Sequence, residues 1–215
     1  MAPAEPKAIL VYGARGAVGR LVVDEARRRG HAVTGVSRSA LPCTRETEAL
    51  VKGDAADGEA VRALSRGFDV VVSATRPAAG REVEHAEAAR GLVAGLRGTG
   101  RRLVMVGGAA TLLVPGAADA LVLDDPRYVQ DAWRPIARAC VEQLAVLEGA
   151  DELDWTYISP PAFLTDGPRT GTFRRGQARL LVDADGRSAI SRRDFAVAVV
   201  DEVEAGGRRR VTVAY

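Results

Sequence analysis

The sequence has few of the side chains on which several protein classes depend. Its only cysteines, Cys43 and Cys140, show neither CxxC nor metal-ligand spacing, which favours a reduced protein without a disulfide framework. Its only lysines are Lys7 and Lys52, and because neither follows a glycine, a Walker A phosphate loop is excluded. A formal net charge of +2 gives no steering toward nucleic acid or an anionic membrane.

Long apolar runs are also missing. No uninterrupted apolar stretch is long enough to span a bilayer, and the first residues, MAPAEP, lack the basic region and apolar core of a secretion signal. We therefore expect a cytoplasmic protein that acts on a small molecule as a monomer or homodimer, with no nucleic-acid or membrane partner. The length of 215 residues fits a single domain, residues 1–215.

Short apolar runs alternate with longer segments of helical spacing. This order predicts an α/β fold, a doubly wound (Rossmann) parallel sheet with helices on both faces. Strands that are apolar throughout, such as AILVY, fit a sheet covered on both sides. The predicted strands are 8–12, 32–36, 50–51, 68–73, 102–106 and 155–158, and the predicted helices are 17–29, 59–65, 82–96 and 135–147.

The last part of the chain, residues 159–215, has a different character. SPPAFLTDGPRTGTFRRGQ is typical of a loop, and ARLLVDADG predicts a strand that runs into a turn. SRRDFAVAVVDEVEA predicts a helix with Ser191 and Asp194 as a capping box, and RRVTVAY predicts a final strand. We expect this part to be a small C-terminal appendage that closes the substrate side of the domain.

A glycine loop follows the first predicted strand and opens the first predicted helix. GARGAVG places Gly13 at the tight turn, Gly16 where backbone approaches a phosphate, and Gly19 where the helix packs on the strand. The N–H groups and the positive dipole end of the helix would then bind a pyrophosphate. The alternative is a glycine turn beside an empty crevice, but the strand–loop–helix context favours dinucleotide binding.

The end of the second predicted strand distinguishes the two nicotinamide cofactors. An acidic residue there would bind the ribose 2′-hydroxyl and select NAD, but this chain has Ser37, Arg38 and Ser39. Arginine and serine donors suit a phosphate, and Arg15 in the glycine loop is within reach of the same group. The pattern predicts NADPH in preference to NADH, and the alternative is that Arg38 is a solvent-exposed loop residue.

Polar residues also follow the third and fourth predicted strands. Asp54 is placed to meet the adenine amino group, although it could instead cap a helix, for which Asp57 is the better candidate. Residues 73–75 end the fourth strand beside the crevice. The expected cofactor contacts are Gly13, Arg15, Gly16, Val18, Gly19, Ser37, Arg38, Ser39, Asp54, Ala55, Ser73, Ala74, Thr75 and Pro160.

Several motifs together carry a family resemblance. GARGAVG, the GD after the third strand and the SAT after the fourth resemble an atypical short-chain dehydrogenase/reductase. The segments LDWTYISPPAF, GPRTGTFRRG and LLVDADGRSAISRRDFAVAVVDEVE are more specific. They resemble a bacterial NAD(P)H-binding family that is called NADH-flavin reductase-like and is related to NmrA-like proteins and biliverdin-IXβ reductase. This resemblance covers nearly the whole chain and implies a fold and a cofactor more firmly than a reaction.

The chain departs from the main branch of short-chain reductases in its acid–base residues. Those enzymes use Tyr-x-x-x-Lys, in which lysine lowers the pKa of a proton-donating tyrosine. Here Tyr128 is followed four residues later by Ala132, and Tyr157 by Pro161. A reaction that moves only a hydride, such as reduction of a flavin or a quinone, does not need that pair.

The resemblance also suggests residues on the substrate side. Thr111 stands where relatives usually carry a serine near the nicotinamide, and Tyr128 lies in the following segment; we take both as candidate catalytic residues, although Thr111 could equally begin a helix or a turn. Tyr128 and Trp133 could form a flat wall for an aromatic substrate, but core or surface packing is the simplest role for Trp133, and His85 is expected to be exposed. The segment 159–161 would line the nicotinamide side, and residues 169–170 would form a mobile lid.

Three functions are compatible with these features. The first is an NADPH-dependent reductase of a flavin-like, quinone-like or other conjugated acceptor. The second is an NADPH sensor without catalysis, as NmrA-like regulators are thought to be. The third is a reductase or epimerase of one small metabolite, whose own groups supply part of the acid–base chemistry.

Overall fold

The computed structural model describes residues 5–39, 49–207 and 209–215. Eight strands form one sheet and two form a small second sheet. The strands are β1 (Ala8–Tyr12), β2 (Ala32–Ser37), β3 (Ala49–Lys52), β4 (Val70–Ser73), β5 (Arg102–Val106), β6 (Trp155–Ser159), β7 (Phe163–Thr165), β8 (Arg174–Gly176), β9 (Ala189–Ser191) and β10 (Arg209–Ala214). The main sheet has the order β3-β2-β1-β4-β5-β6-β10-β8. Only β8 runs antiparallel to its neighbour in that sheet; β7 and β9 pair in parallel.

Among the described residues, five α-helices cover the main sheet on both faces, as predicted. They are α1 (Gly19–Arg28), α2 (Gly58–Leu64), α3 (Glu84–Leu96), α4 (Arg134–Glu148) and α5 (Arg192–Ala205). Helices α1 and α5 pack together on one face, while α2, α3 and α4 pack on the other. The chain therefore has the doubly wound Rossmann architecture.

The first strand shows why its sequence is apolar throughout. Ile9 and Val11 belong to the core beneath α1 and α5, whereas Leu10 and Tyr12 belong to the core beneath α2, α3 and α4. Successive side chains of a strand point to opposite faces, so a sheet buried on both sides leaves no polar positions along β1. All four side chains are almost fully buried.

One strand that the sequence predicts in the C-terminal part is not formed. Residues 178–182, which the sequence predicts to be a strand, contain only an isolated bridge between Arg179 and Leu113. Leu180 is buried in a separate apolar cluster with Leu112 and Val122, so burial against a loop, and not strand pairing, explains its apolar character. The segment predicted as loop instead contributes two short strands, β7 and β8.

Helix α5 begins as predicted, but its capping residues work differently. The Ser191 hydroxyl accepts a hydrogen bond from the Asp194 N–H at 3.0 Å. The return bond of a capping box is missing, because the Ser191 N–H donates to the Tyr215 hydroxyl. The Asp194 carboxylate accepts from the N–H groups of Thr170 and Gly171, both at 2.8 Å, and therefore fastens a neighbouring loop to the helix.

Within the described ranges, no helix has the length and apolarity required to cross a membrane. Cys43 lies outside the described residues. Cys140 is buried on α4, and burial raises the pKa of its thiol to about 12, so this side chain behaves as a small apolar group.

Candidate nucleotide-binding cleft

The loop between β1 and α1 depends on two glycines for its own shape. Gly13 has a φ of +77°, and a Cβ atom there would lie 2.5 Å from the Ala74 carbonyl oxygen. A Cβ atom on Gly19 would lie 2.1 Å from the Gly13 carbonyl oxygen. The loop therefore folds tightly against the end of β4 and against itself, which only residues without a side chain permit.

The N-terminus of α1 is open to this loop. No side chain caps it, and its first turn has no acidic residue. By contrast, Asp57 caps α2 by accepting from the N–H groups of Glu59 and Ala60, as the sequence predicts. The first N–H groups of a helix lack intrahelical partners and carry partial positive charge, so α1 presents an unfilled anion-binding end.

A cleft of about 580 Å³ runs from this loop along the carboxyl ends of β2 and β3 to the start of α3. The structure brings most of the predicted contacts together in its walls. They are Gly13, Arg15, Gly16, Ser37, Arg38, Ser39, Asp54, Ala55 and Thr75. The switch point of a doubly wound sheet is where such folds bind nucleotides, and β1 lies between β2 and β4 at this point.

The other five predicted contacts are not among the lining residues. Val18 and Gly19 lie at the start of α1, just beyond the loop. Ser73 is buried, with its hydroxyl 3.2 Å from that of Thr75, and the Ala74 backbone packs on Gly13. Pro160 is buried after β6. As cofactor contacts, these five and the nine lining residues all stay predictions.

The floor of the cleft contains two polar side chains that sequence reasoning missed. The Tyr12 hydroxyl and His85 Nδ1 are buried without a hydrogen-bond partner, although both residues line the cleft. Burial, reinforced by Asp54 and Asp57, raises the pKa of Tyr12 to about 12, so the phenol remains a neutral donor. Buried polar atoms are rarely left unpaired, so these two atoms are candidate hydrogen-bonding groups for a ligand in the cleft.

The prediction that His85 is exposed is wrong. The residue is 4% exposed, and burial together with the nearby Arg76 lowers the pKa of its imidazole to about 4. The spacing of His85, Ala89, Leu92 and Leu96 places the histidine on the buried face of α3, and this helical period was the signal available in the sequence.

The outer wall of the cleft is formed by charged residues, including two arginines that the sequence analysis did not single out, Arg76 and Arg81. Arg38 bridges the cleft by donating to the Glu84 carboxylate at the start of α3, at 3.0 Å. Arg81 pairs with the same carboxylate. Arg15, in contrast, forms no ion pair with the described residues, so its guanidinium stays available at the glycine loop.

Arg76 joins the cleft to the start of α4. Its guanidinium carbon lies 5.7 Å from the ring centroid of Trp133, a cation–π arrangement. Trp133 is 55% exposed, which places it at the surface and not in the core. A flat aromatic surface therefore adjoins the cleft.

The two candidate catalytic residues lie apart from the lining residues. Thr111 is buried; its hydroxyl donates to the Gly108 carbonyl at 2.9 Å and lies 3.0 Å from the Ser159 hydroxyl. Tyr128 packs at the edge of an apolar cluster, with Arg127 over its ring. Nothing in this arrangement gives either residue a free donor in the cleft, and their catalytic roles stay predictions.

The loop expected to act as a lid is fastened at two points. Arg169 donates to both carboxylate oxygens of Glu25, at 2.8 and 3.0 Å. Thr170 donates its hydroxyl to Asp194 at 2.6 Å. Burial alone would raise the pKa of Glu25, but hydrogen bonds from Arg169, Arg28 and Arg29 lower it instead. These charged bonds oppose the free motion that a lid requires.

Comparison with known proteins decides the family. A family model described as NAD(P)H-binding matches residues 13–205 of the chain. This chain belongs to that NAD(P)H-binding family. YwnB of Bacillus subtilis, whose activity is uncharacterised, is 36% identical over 196 residues, which span 90% of this chain and 91% of YwnB.

Two solved structures resemble this NAD(P)H-binding protein over nearly its whole length. A Burkholderia pseudomallei protein proposed to be exported is 38% identical, with a TM-score of 0.87 over 97% of this chain and 100% of that one. A proposed NADH-flavin reductase from Streptococcus pneumoniae is 30% identical, with a TM-score of 0.86 over 97% and 99% of the two chains. These similarities confirm the resemblance to an atypical short-chain reductase family.

The cleft of this NAD(P)H-binding chain fits a dinucleotide on its own geometry. The open end of α1 suits a pyrophosphate, and the Tyr12 hydroxyl and His85 Nδ1 add polar groups to the lining of the cleft. Over the described residues, no group of three or more His, Cys, Asp or Glu side chains converges as a metal site. The residues that could hold the cofactor are those that line the cleft.

Proposed function

We propose that this protein is an NADPH-dependent reductase that transfers a hydride to a flat, conjugated small molecule such as a flavin or a quinone. The observation that carries the proposal is the shared cleft, whose lining contains both Ser37, Arg38 and Ser39 and the glycine loop that leads into the uncapped α1. An anion site and a set of phosphate donors within one nucleotide-sized cleft support a phosphorylated dinucleotide.

The preference for NADPH is supported by the end of β2. No acidic side chain occupies the position that would bind a ribose 2′-hydroxyl, and Arg38 and Ser39 line the cleft there instead. A guanidinium offers several N–H donors in one plane, which suits a phosphate better than a hydroxyl. Arg15 adds a second positive charge from the glycine loop.

The lack of a tyrosine–lysine pair supports an acceptor that needs no strong acid. Tyr157 is fully buried, its hydroxyl donates to the Cys140 carbonyl at 3.0 Å, and burial raises its pKa well above the usual value. Lys52 ends β3, on the far side of the sheet order from β6. Lys52 therefore cannot lower the pKa of Tyr157 in the way that the lysine of a tyrosine–lysine pair does.

Bound NADPH would supply one hydride to the acceptor, which gains two electrons while NADP⁺ forms and solvent supplies any proton. The protein would bind the cofactor and the acceptor and orient them toward each other. The glycine loop and Arg38 would position the phosphates. The exposed Trp133 ring provides a surface on which a planar acceptor can stack.

A panel assay tests this function. NADPH consumption would be followed with FMN, riboflavin and several quinones, and NADPH affinity would be measured in parallel. We expect turnover with at least one acceptor and a loss of activity in Trp133→Ala through a raised KM. Tight NADPH binding without turnover of any acceptor would contradict the reductase function and favour a sensor.

A further inference from the structure

One carboxylate of the cleft, that of Glu84, lies between two exposed arginines. Glu84 is the first residue of α3, and its two oxygens pair with Arg38 and with Arg81. Its side chain is only 18% exposed, whereas that of Arg38 is 57% exposed. The acid is therefore held inward and the guanidinium groups lie outside it, across the cleft from the glycine loop.

The pairing joins the two walls of the cleft. Arg38 extends from the end of β2 and Glu84 from the start of α3, so their 3.0 Å contact crosses the space between these elements. Arg38 uses one terminal nitrogen for this bond. A phosphate bound by the same guanidinium would bring a second anion next to the Glu84 carboxylate, and like charges at this distance repel.

A carboxylate and a phosphate satisfy a guanidinium by the same chemistry, since both present anionic oxygens to planar N–H donors. Resting on the proposed NADPH function, we propose that Glu84 is an internal counter-anion that occupies Arg38 and Arg81 until the 2′-phosphate of NADPH displaces it. Glu84 thereby weakens NADPH binding and limits the discrimination between NADPH and NADH. NADH has no 2′-phosphate and leaves the Arg38–Glu84 pair in place.

A purely structural role for Glu84 must be separated from this one. An acidic residue in the first turn of a helix stabilises it through the helix dipole, and α3 has two of them, Glu84 and Glu87. Both line the cleft. Within the described part of the chain, Glu87 forms no ion pair with an arginine, so it provides a matched control for helix and through-space effects.

The test compares wild type, Glu84→Gln and Glu87→Gln by titration with NADPH and with NADH. Gln keeps a hydrogen-bond acceptor for the arginines but removes the competing charge. We expect Glu84→Gln to bind NADPH about ten-fold more tightly than wild type, as removal of one nearby like charge implies. NADH affinity should change less than about two-fold, since no phosphate meets Glu84.

Titration with 2′-AMP and 5′-AMP adds a readout that excludes the nicotinamide. The gain in Glu84→Gln should appear with 2′-AMP and not with 5′-AMP. An unchanged NADPH-to-NADH ratio in Glu84→Gln, or an equal gain in Glu87→Gln, would overturn the counter-anion role while leaving the proposed function intact. Failure of wild type to bind either dinucleotide would overturn both.

Discussion

Helices α1 and α5 lie side by side on one face of the sheet, but their N-termini have opposite surroundings. The start of α5 is sealed: Ser191 caps it, and Asp194 accepts four hydrogen bonds from Thr170, Gly171 and Tyr215. The start of α1 has neither a cap nor an acidic residue and opens onto the cleft. A helix end satisfied by its own chain supports the structure, whereas one left unsatisfied is available to a ligand.

The same contrast extends to the two halves of the molecule. On the cofactor side, Tyr12 and His85 have buried polar atoms without a partner among the described residues, and Arg15 forms no ion pair with them. Where the C-terminal part packs, the buried acids Glu25 of α1 and Glu202 of α5 are each paired with arginines from other segments. We infer that changes to the exposed arginines of the cleft alter binding more than stability, and that changes to the buried ion pairs of the C-terminal side do the reverse.

The largest effect is expected for Gly19→Ala. The new Cβ atom would meet the Gly13 carbonyl oxygen at 2.1 Å, so the loop must move, at a cost of about 3 kcal/mol in the free energy of unfolding. NADPH binding should be lost with the loop. Thermal unfolding and NADPH titration measure both effects. Gly67→Ala is the control, because no atom lies within 4 Å of a Cβ placed there; equal behaviour of the two variants would contradict the tight loop.

The next effect concerns the pH dependence of stability through His85. Because burial lowers the pKa of this residue to about 4 from an ordinary value of 6.5, the unfolded chain binds the proton first as the pH falls. The stabilisation that His85 gives by staying neutral in the folded protein is complete above about pH 6.5. It is lost between pH 6.5 and 4, which lowers the free energy of unfolding by about 3 kcal/mol. His85→Gln should lack this component in urea unfolding across that range. An identical pH slope in both proteins would show that His85 is not held neutral.

On the sealed side, Asp194→Asn should lower the free energy of unfolding by about 2 kcal/mol, since the charged acceptor of several hydrogen bonds is lost. The affinity for NADPH should stay within about two-fold of the wild-type value, because Asp194 does not line the cleft. Denaturant unfolding and NADPH titration test the two halves of this statement together. A large loss of affinity with unchanged stability would reverse the comparison between α1 and α5.

The smallest change in free energy is expected for Arg38→Ala, and it falls only on binding. Loss of the charged donor should weaken NADPH by about 10- to 30-fold and leave NADH within about two-fold. Unfolding should be almost unaffected, because the Arg38 side chain is largely exposed and its ion pair with Glu84 contributes little. Equal losses for NADPH and NADH would show that Arg38 does not bind the 2′-phosphate.

The features that sequence predicted well are local. The strand, glycine loop and helix of residues 8–28 follow from apolar periodicity and from glycines whose positions the backbone demands. The features that it missed depend on contacts between distant segments. Strand β8 forms only by pairing with β10, and the polar sequence RRG gives no strand pattern of its own. This strand therefore depends on pairing at the edge of the sheet, whereas strand prediction relied on apolar residues.

The residues of the candidate site also divide into those that local sequence predicts and those that depend on contacts between distant segments. Ser37, Arg38 and Ser39 were predictable because they follow a clear strand, whose end faces the crevice in any doubly wound sheet. Glu84 was not predictable, because its importance comes from an arginine 46 residues earlier in the chain. The contact that fastens the 169–170 loop was not predictable for the same reason, since Glu25 meets Arg169 across 144 residues; the lid role stays a prediction.

The central claim is that the cleft beside α1 binds a nicotinamide dinucleotide through its 2′-phosphate. The most direct measurement is calorimetric titration of the wild-type protein with NADPH and NADH at one ionic strength. We expect one site for each, with NADPH bound about ten-fold or more tightly than NADH. Equal affinities, tighter binding of NADH, or no binding of either dinucleotide would contradict it.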